Sequence, residues 1–258
     1  MRRVLVIGIG SGNLEHVTVQ AINAMNDVDV FFVMDKGDAK ADLVQARTEI
    51  CERYITNRSY RIIEVRDPER DRASPAYRAA VEDWYGRRAE VYERLITDEL
   101  DEESCGAFLV WGDPSLYDGT LRILEQVAAR SRTPFEFEVV PGITSVQALA
   151  ARHRISLSRI GESIQITTGR RLTRGLPDDV ENVVVMLDAD CSFSSLDDDD
   201  LEIYWGAYLG TDDEILASGP LTERAAGIAQ ARGEARSRKG WIMDTYLLRR
   251  RAQPEDGL

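Results

Sequence analysis

The chain has 258 residues, with 45 acidic side chains against 32 basic ones and a net charge of −13. Its 43% hydrophobic and 30% charged residues are those of an ordinary globular protein, sized for one large domain or two small ones. So acidic a chain lacks the overall basic face that nucleic acid or an anionic membrane requires, and neither is expected as a partner. No run approaches the ~18 apolar residues of a membrane span and no signal-peptide pattern is present, so a cytoplasmic location is expected. Cys51, Cys105 and Cys191 stand far apart and read as small buried apolar residues. With His16 and His153 the only histidines, no metal site is expected and Ser-His-Asp layouts are disfavoured.

Residues 4–9 form an apolar run that stops at glycines, the pattern of a buried parallel strand. A helix over 16–25 follows, then a second buried run over 28–34. Leu43, Ala46, Ile50 and Tyr54 keep helical spacing over 42–54, and 60–65 alternate as a strand. Ser74-Pro75 reads as an N-cap and first-turn proline opening a long charged helix through Leu95. A strand over 106–111, a helix over 121–129 and a strand over 135–140 complete the first half, and Pro141-Gly142-Ile143-Thr144-Ser145 turns the chain into another helix. Such β-α alternation predicts a parallel sheet of about five strands.

After His153 the rhythm changes. Strands are expected at 163–168, 183–187, 203–209, 215–218 and 241–248, with one clear helix over 221–231. Short links between strands predict a mixed, more antiparallel sheet. The fold class is therefore α/β, as two α/β domains, residues 1–157 and 158–258. The acidic run Asp197–Asp200 and the tail Arg249–Arg251 read as solvated surface.

Gly8-Ile9-Gly10-Ser11-Gly12-Asn13 lies between the first strand and the first helix, where glycines permit a tight turn and close approach to a ligand. Asp35, past the second strand, completes the outline of a nicotinamide-dependent oxidoreductase, but Asn13 stands where that fingerprint needs its third glycine. A glycine turn with no ligand is the plain alternative. Trp111-Gly112-Asp113-Pro114-Ser115-Leu116-Tyr117 and the loop 141–145 also follow strands. All three loops thus fall on the carboxyl edge of one sheet, where open α/β folds bind ligands. Asp113 suits an amino or sulfonium cation there better than a pyrophosphate; Thr144 and Ser145 can cap the next helix or bond a ligand.

In this order and spacing, GIGSGN at 8–13, GDPSLY at 112–117 and PGIT at 141–144 resemble the three signatures of the S-adenosylmethionine-dependent tetrapyrrole methylases. The similarity covers nearly the whole chain. Three further stretches, 31–43, 204–216 and 240–250, are similar to one branch of that family, which methylates C1 of precorrin-5 and releases acetate in aerobic cobalamin biosynthesis. The resemblance implies two α/β domains with S-adenosyl-L-methionine held between them, and a homodimer. Carried over by position, it implies cofactor contacts at Ser11, Trp111, Gly112, Asp113, Leu116, Thr144 and Ser145. In the second domain it implies contacts at Leu187, Tyr208, Gly210 and Trp241, with Leu187 against the adenine. The commoner family loop carries proline and aspartate where this chain has Ser11 and Asn13, so a base at position 13 is not available here.

Acetate release needs a base for the attacking water and a donor for the oxyanion. Asp35 and Tyr117 are the candidates for these catalytic roles, with a loop-ordering acid the plainer role for Asp35. A substrate rich in carboxylates needs a local cationic clamp, for which Lys36, Lys40, Arg47, Arg170, Arg171 and Arg174 are candidates. Another tetrapyrrole methylase, a nicotinamide-dependent oxidoreductase and a non-catalytic nucleotide-sensing module remain as alternatives.

Overall fold

The computed structural model describes residues 1–35, 41–56, 59–69, 76–176 and 180–251. The chain divides into two compact units, Met1–Thr144 and Ser145–Leu258.

The first unit contains β1 (Arg2–Gly8), α1 (Val19–Met25), β2 (Val30–Asp35), α2 (Ala41–Tyr54), β3 (Arg61–Arg66), α3 (Tyr77–Glu99), β4 (Cys105–Val110), α4 (Thr120–Arg130) and β5 (Phe135–Val140). Its five strands run parallel in the order β3-β2-β4-β1-β5. Alternate residues of the apolar strands serve two cores, because successive side chains leave opposite faces of a sheet. Val4, Val6, Val30, Phe32, Phe108 and Val110 pack with α3 and α4, where Tyr92 stacks on Phe108 at 4.2 Å between ring centroids. Leu5, Ile7, Phe31, Ala107 and Leu109 pack on the other face with Ala21, Met25, Ile50 and Cys51. The helix expected over 16–25 begins only at Val19, after a 3-10 turn at Leu14–His16. Ser74 and Pro75 lie outside the described residues; α3 follows Ala76, which makes no side-chain cap.

The second unit contains α5 (Ser145–His153), β6 (Ile164–Thr168), α6 (Gly169–Leu172), β7 (Asn182–Met186), β8 (Leu201–Ala207), β9 (Ile215–Pro220), α7 (Leu221–Lys239) and β10 (Asp244–Arg250). The sheet order is β6-β7-β10-β8-β9, parallel only between β6 and β7. The division falls one helix before the expected 157/158, because α5 packs on β8 and β10. Helix α7 runs on to Lys239, well past the expected 231, and ends at Gly240 in the left-handed conformation.

Two surface expectations change. Arg249 is buried, its Nε donating to Asn182 Oδ1 at 2.9 Å, and Arg250 Nη1 donates to Asp198 Oδ2 at 3.0 Å. The tail is thus the end of the central strand β10, and Asp198 is one of its ion-pair partners. Cys51 and Cys105 are buried as expected, but Cys191 is partly exposed in a left-handed turn with φ of 54°.

Candidate active site

Because β4, β1 and β5 are neighbours, the loops that follow them leave one edge of the first sheet side by side. Backbone stitches the first two together: the Gly10 N–H donates to the Gly112 carbonyl at 3.3 Å, and the Gly112 N–H to the Gly10 carbonyl at 2.7 Å. A Cβ on Gly142 would fall 2.1 Å from the Gly112 oxygen, and one on Gly8 would fall 2.7 Å from the Gly142 nitrogen. Loop-on-loop packing therefore forbids side chains at 8 and 142 before any ligand is considered. Gly112 is different. Its φ of +71° favours glycine, and an added Cβ would meet only the Thr144 Cα, at 3.7 Å.

The Asp113 carboxylate locks the second loop to the third. Oδ1 accepts from the Ser115 N–H at 2.8 Å and from the Ser115 hydroxyl, and Oδ2 accepts from the Gly142 N–H at 2.8 Å. Burial alone would raise its pKa, but these donors outweigh burial and hold the carboxyl below its ordinary value. Asp113 is thus a fixed negative charge whose first task is to tie loops, rather than a side chain projecting freely at a cation.

Ser11 is buried, with its Oγ 3.3 Å from His16 Nδ1. Asn13 accepts the Glu15 N–H at 2.8 Å and so caps the 3-10 turn, a bond that a third fingerprint glycine could not make. Thr144 is buried, Trp111 and Leu116 are partly buried, and Tyr117 is 46% exposed with φ of 55°. Asp35 ends β2 on the same edge of the sheet, its carbonyl accepting the Asp67 N–H at 2.8 Å.

The cation candidates separate. Lys36 and Lys40 lie outside the described residues. Arg47 donates through Nε to the Leu109 carbonyl at 3.1 Å, and burial lowers its pKa. The pairing of β2 with β4 stops at Phe32–Phe108, so Arg47 serves a strand carbonyl just beyond that ladder and its Nε is committed inside the fold. Arg170, Arg171 and Arg174 are exposed on and after α6 in the second unit.

Also in the second unit, Ser145 Oγ lies 2.9 Å from Thr245 Oγ1 at the start of α5. Leu187 stands just beyond β7 with φ of 53° and 66% of its surface exposed. Tyr208 shares the left-handed conformation but is only 2% exposed, and its hydroxyl donates to the Trp241 and Ala235 carbonyls. Trp241 is buried edge-on against the Tyr208 ring at 5.1 Å. The Tyr208 ring is thus held in the core of the second unit. Gly210, φ 82°, donates its N–H to Glu214 Oε2 at 2.9 Å.

Sequence reasoning missed the network beneath Leu187. Asp188 is buried and accepts from Ser192 and Tyr246; Arg232 pairs with Asp244 at 2.9 Å, and the Trp205 indole donates to Asp244 at 3.0 Å. Burial pushes the Asp244 carboxyl up, while the Arg232 charge and the donors from Arg232 and Trp205 pull it back. The one sequence signal was Asp188-x-x-x-Ser192 directly after an apolar strand, a side-chain-bonded turn. Among the described residues, no three His, Cys, Asp or Glu side chains are grouped to hold a metal, and no helix is long and apolar enough to cross a membrane.

Within the first unit, the fixed Asp113 carboxylate and the open face at Gly112 fit a ligand that carries a positive charge. Residues 3–225 match the family model described as Tetrapyrrole (Corrin/Porphyrin) Methylases. The chain belongs to that family, and its fold is the two-sheet tetrapyrrole methylase fold. It is 51% identical to a precorrin-6A synthase (deacetylating) of Sinorhizobium sp. over 252 residues, 98% of this chain and 97% of that protein. Among solved structures it is similar to a cobalamin-synthesis-related protein (CobF) from Corynebacterium diphtheriae, with 38% identity and a TM-score of 0.85 over 98% of this chain and all of that one. A uroporphyrin-III C-methyltransferase from Thermus thermophilus, complexed with S-adenosyl homocysteine, shares the fold at 18% identity and a TM-score of 0.56, covering 95% of this chain and 91% of its own.

Proposed function

We propose that the chain is a precorrin-6A synthase (deacetylating), an S-adenosylmethionine-dependent methyltransferase that methylates C1 of precorrin-5 and releases acetate in cobalamin biosynthesis. The observation that carries this reading is the 51% identity to a protein of that name along 98% of the chain. The family match also displaces the oxidoreductase alternative, which rested on a glycine fingerprint that Asn13 breaks.

The donor supplies a methyl group already activated on a sulfonium. What remains for the protein is alignment in a dry site. In the first unit, Gly112 and Leu116 give it backbone and apolar contact, Trp111 and Thr144 line the same loops, and Asp113 and Ser11 hold those loops in shape. In the second, Leu187 faces the adenine, with Ser145 and Gly210 as further contacts. The exposed guanidiniums of Arg170, Arg171 and Arg174 take the substrate carboxylates, since a planar fork matches a carboxylate. Water then adds to the acetyl carbonyl, giving its proton to Asp35, while Tyr117 donates to the oxyanion. The bond from the acetyl carbon to the macrocycle breaks, its electron pair passes to the ring, and acetate leaves.

A cytoplasmic homodimer belongs to the same proposal. Self-association is supported by Ile164 and Ile166, which lie exposed on one face of the edge strand β6, with the exposed Ile160 nearby in sequence. The test is turnover of precorrin-5 with S-adenosylmethionine, read by mass and by released acetate. One methyl gained and one acetate released per macrocycle is the expected result; methylation with the acetyl retained makes the chain a different tetrapyrrole methylase.

A further inference from the structure

We propose that Asp188 is a positioning residue: with Tyr246, Ser192 and Arg232 it holds the strained backbone that displays Leu187 to the adenine, an inference resting on the methyl-donor reading above.

Leu187 carries two costs at once. Its left-handed backbone is unfavourable for a residue with a Cβ, and its apolar side chain is left exposed. Tyr208 has the same backbone conformation, but its buried ring and bonded hydroxyl account for it. Leu187 has no such burial, for 66% of its surface is exposed. Strain of this kind persists only where the surroundings over-determine it, and such positions gather at ligand sites.

The surroundings do over-determine it. On one side, Met186 is the last residue of β7, paired with Thr245 and Thr168. On the other, the Asp188 carboxylate accepts four bonds. Oδ1 takes the Asp190 N–H at 3.1 Å and the Ser192 hydroxyl at 2.9 Å; Oδ2 takes the Ser192 N–H and the Tyr246 hydroxyl, both at 2.7 Å. Arg232 donates from Nη2 to the Asp188 carbonyl at 2.5 Å and from Nη1 to the Ala189 carbonyl at 3.3 Å, and is itself anchored on Asp244. Residue 188 therefore cannot turn, and the peptide joining it to Leu187 is fixed at both ends. The same carboxylate sets the start of the arginine loop: a Cβ on Gly169 would fall 2.3 Å from Asp188 Oδ1, so only glycine can precede Arg170 here. One buried acid thus supports both the apolar platform and the base of the cationic loop.

The experiment is a double-mutant cycle read by calorimetric titration with S-adenosylhomocysteine, using the full chain. Tyr246→Phe keeps the ring and removes one of the four donors; Leu187→Gly removes the displayed side chain. Each single variant is expected to bind about tenfold more weakly, and the double variant no more weakly than Leu187→Gly alone, since coupled residues are not additive. Ser192→Ala, which removes a different donor to the same carboxylate, carries the cycle should Tyr246→Phe fail to fold. A purely structural Asp188 lowers the melting temperature but leaves affinity untouched, or gives effects that multiply; either result overturns the proposal. If the wild-type chain itself fails to bind S-adenosylhomocysteine, the methyl-donor reading falls and the positioning role falls with it. Binding by wild type with unchanged affinity in Tyr246→Phe and Ser192→Ala removes the positioning role alone.

Discussion

The two units hold their functional edges by different means. In the first, three loops are locked backbone to backbone, with glycines at the crossings and a single carboxylate, Asp113, as the tie. In the second, the turn after β7 is locked by its own Asp188 and by side chains drawn from β8, β10 and α7, namely Trp205, Tyr246, Asp244 and Arg232. Backbone locking leaves little space beneath the loops and depends on residues that carry no side chain. Side-chain locking depends on charge, and fails when one partner goes.

That difference sets the size of the first two effects. Arg232→Ala leaves Asp244 as a buried carboxylate without its cation, and it also removes two donors from the 188–189 turn. An expected loss of about 3–5 kcal/mol in chemical denaturation follows from breaking a buried pair on one side. A loss below about 1 kcal/mol would mean water reaches Asp244, in the manner of an exposed pair. Gly142→Ala tests the other mode. The new methyl meets the rigid Gly112 carbonyl at 2.1 Å, so the loops must part, at an expected cost of about 2–3 kcal/mol and with weakened S-adenosylhomocysteine binding. Wild-type stability in this variant would show that the loops are not locked by their backbone.

The same contrast explains what could be read in advance. Backbone crossings demand glycine, and glycine is visible in a sequence, so GIGSG, GDP and PG marked the first unit's edge correctly. The parallel sheet was equally legible, because buried strands between helices leave continuous apolar runs such as 4–9 and 106–111. The network of the second unit was not. Asp188 is marked only by the Ser192 four residues on, while Arg232 and Asp244 are scattered among 45 acidic and 32 basic residues, where nothing local distinguishes them from surface charge. For the same reason the sequence alone reads Arg249 as solvated although it is buried. The family resemblance marks Tyr208 by position, and position does not say whether its ring is exposed or, as here, buried.

Acid titration separates the units by a smaller effect. The Asp113 carboxyl lies below its ordinary 3.8 in the folded chain, because its three donors outweigh burial. A depressed carboxyl contributes stability that is fully present above the unfolded value and is lost as pH falls through the folded one. Asp113→Asn is therefore expected to be less stable than wild type near neutrality. The gap should narrow only as pH drops below 3.8, where wild type also loses its charge. Unfolding free energies measured across that range check it; a gap independent of pH would mean that Asp113 ties the loops by shape and not by charge.

The smallest effect has an unusual sign. Leu187→Asn places at φ 53° a residue that tolerates the left-handed region, and it removes apolar surface from water at a position already 66% exposed. Most of that side chain already lies in water, so stability should rise by about 0.5–1 kcal/mol, a shift of a few degrees in melting temperature. Affinity for S-adenosylhomocysteine should fall in the same variant. Residues that serve only the fold lose stability when replaced, as the buried Phe108 would. A position whose replacement improves the fold while weakening the ligand is retained for the ligand, and the two measurements together make that distinction where neither does alone. If stability falls instead, Leu187 has a structural role within its own unit, and the contrast between a displayed and a buried left-handed residue does not hold.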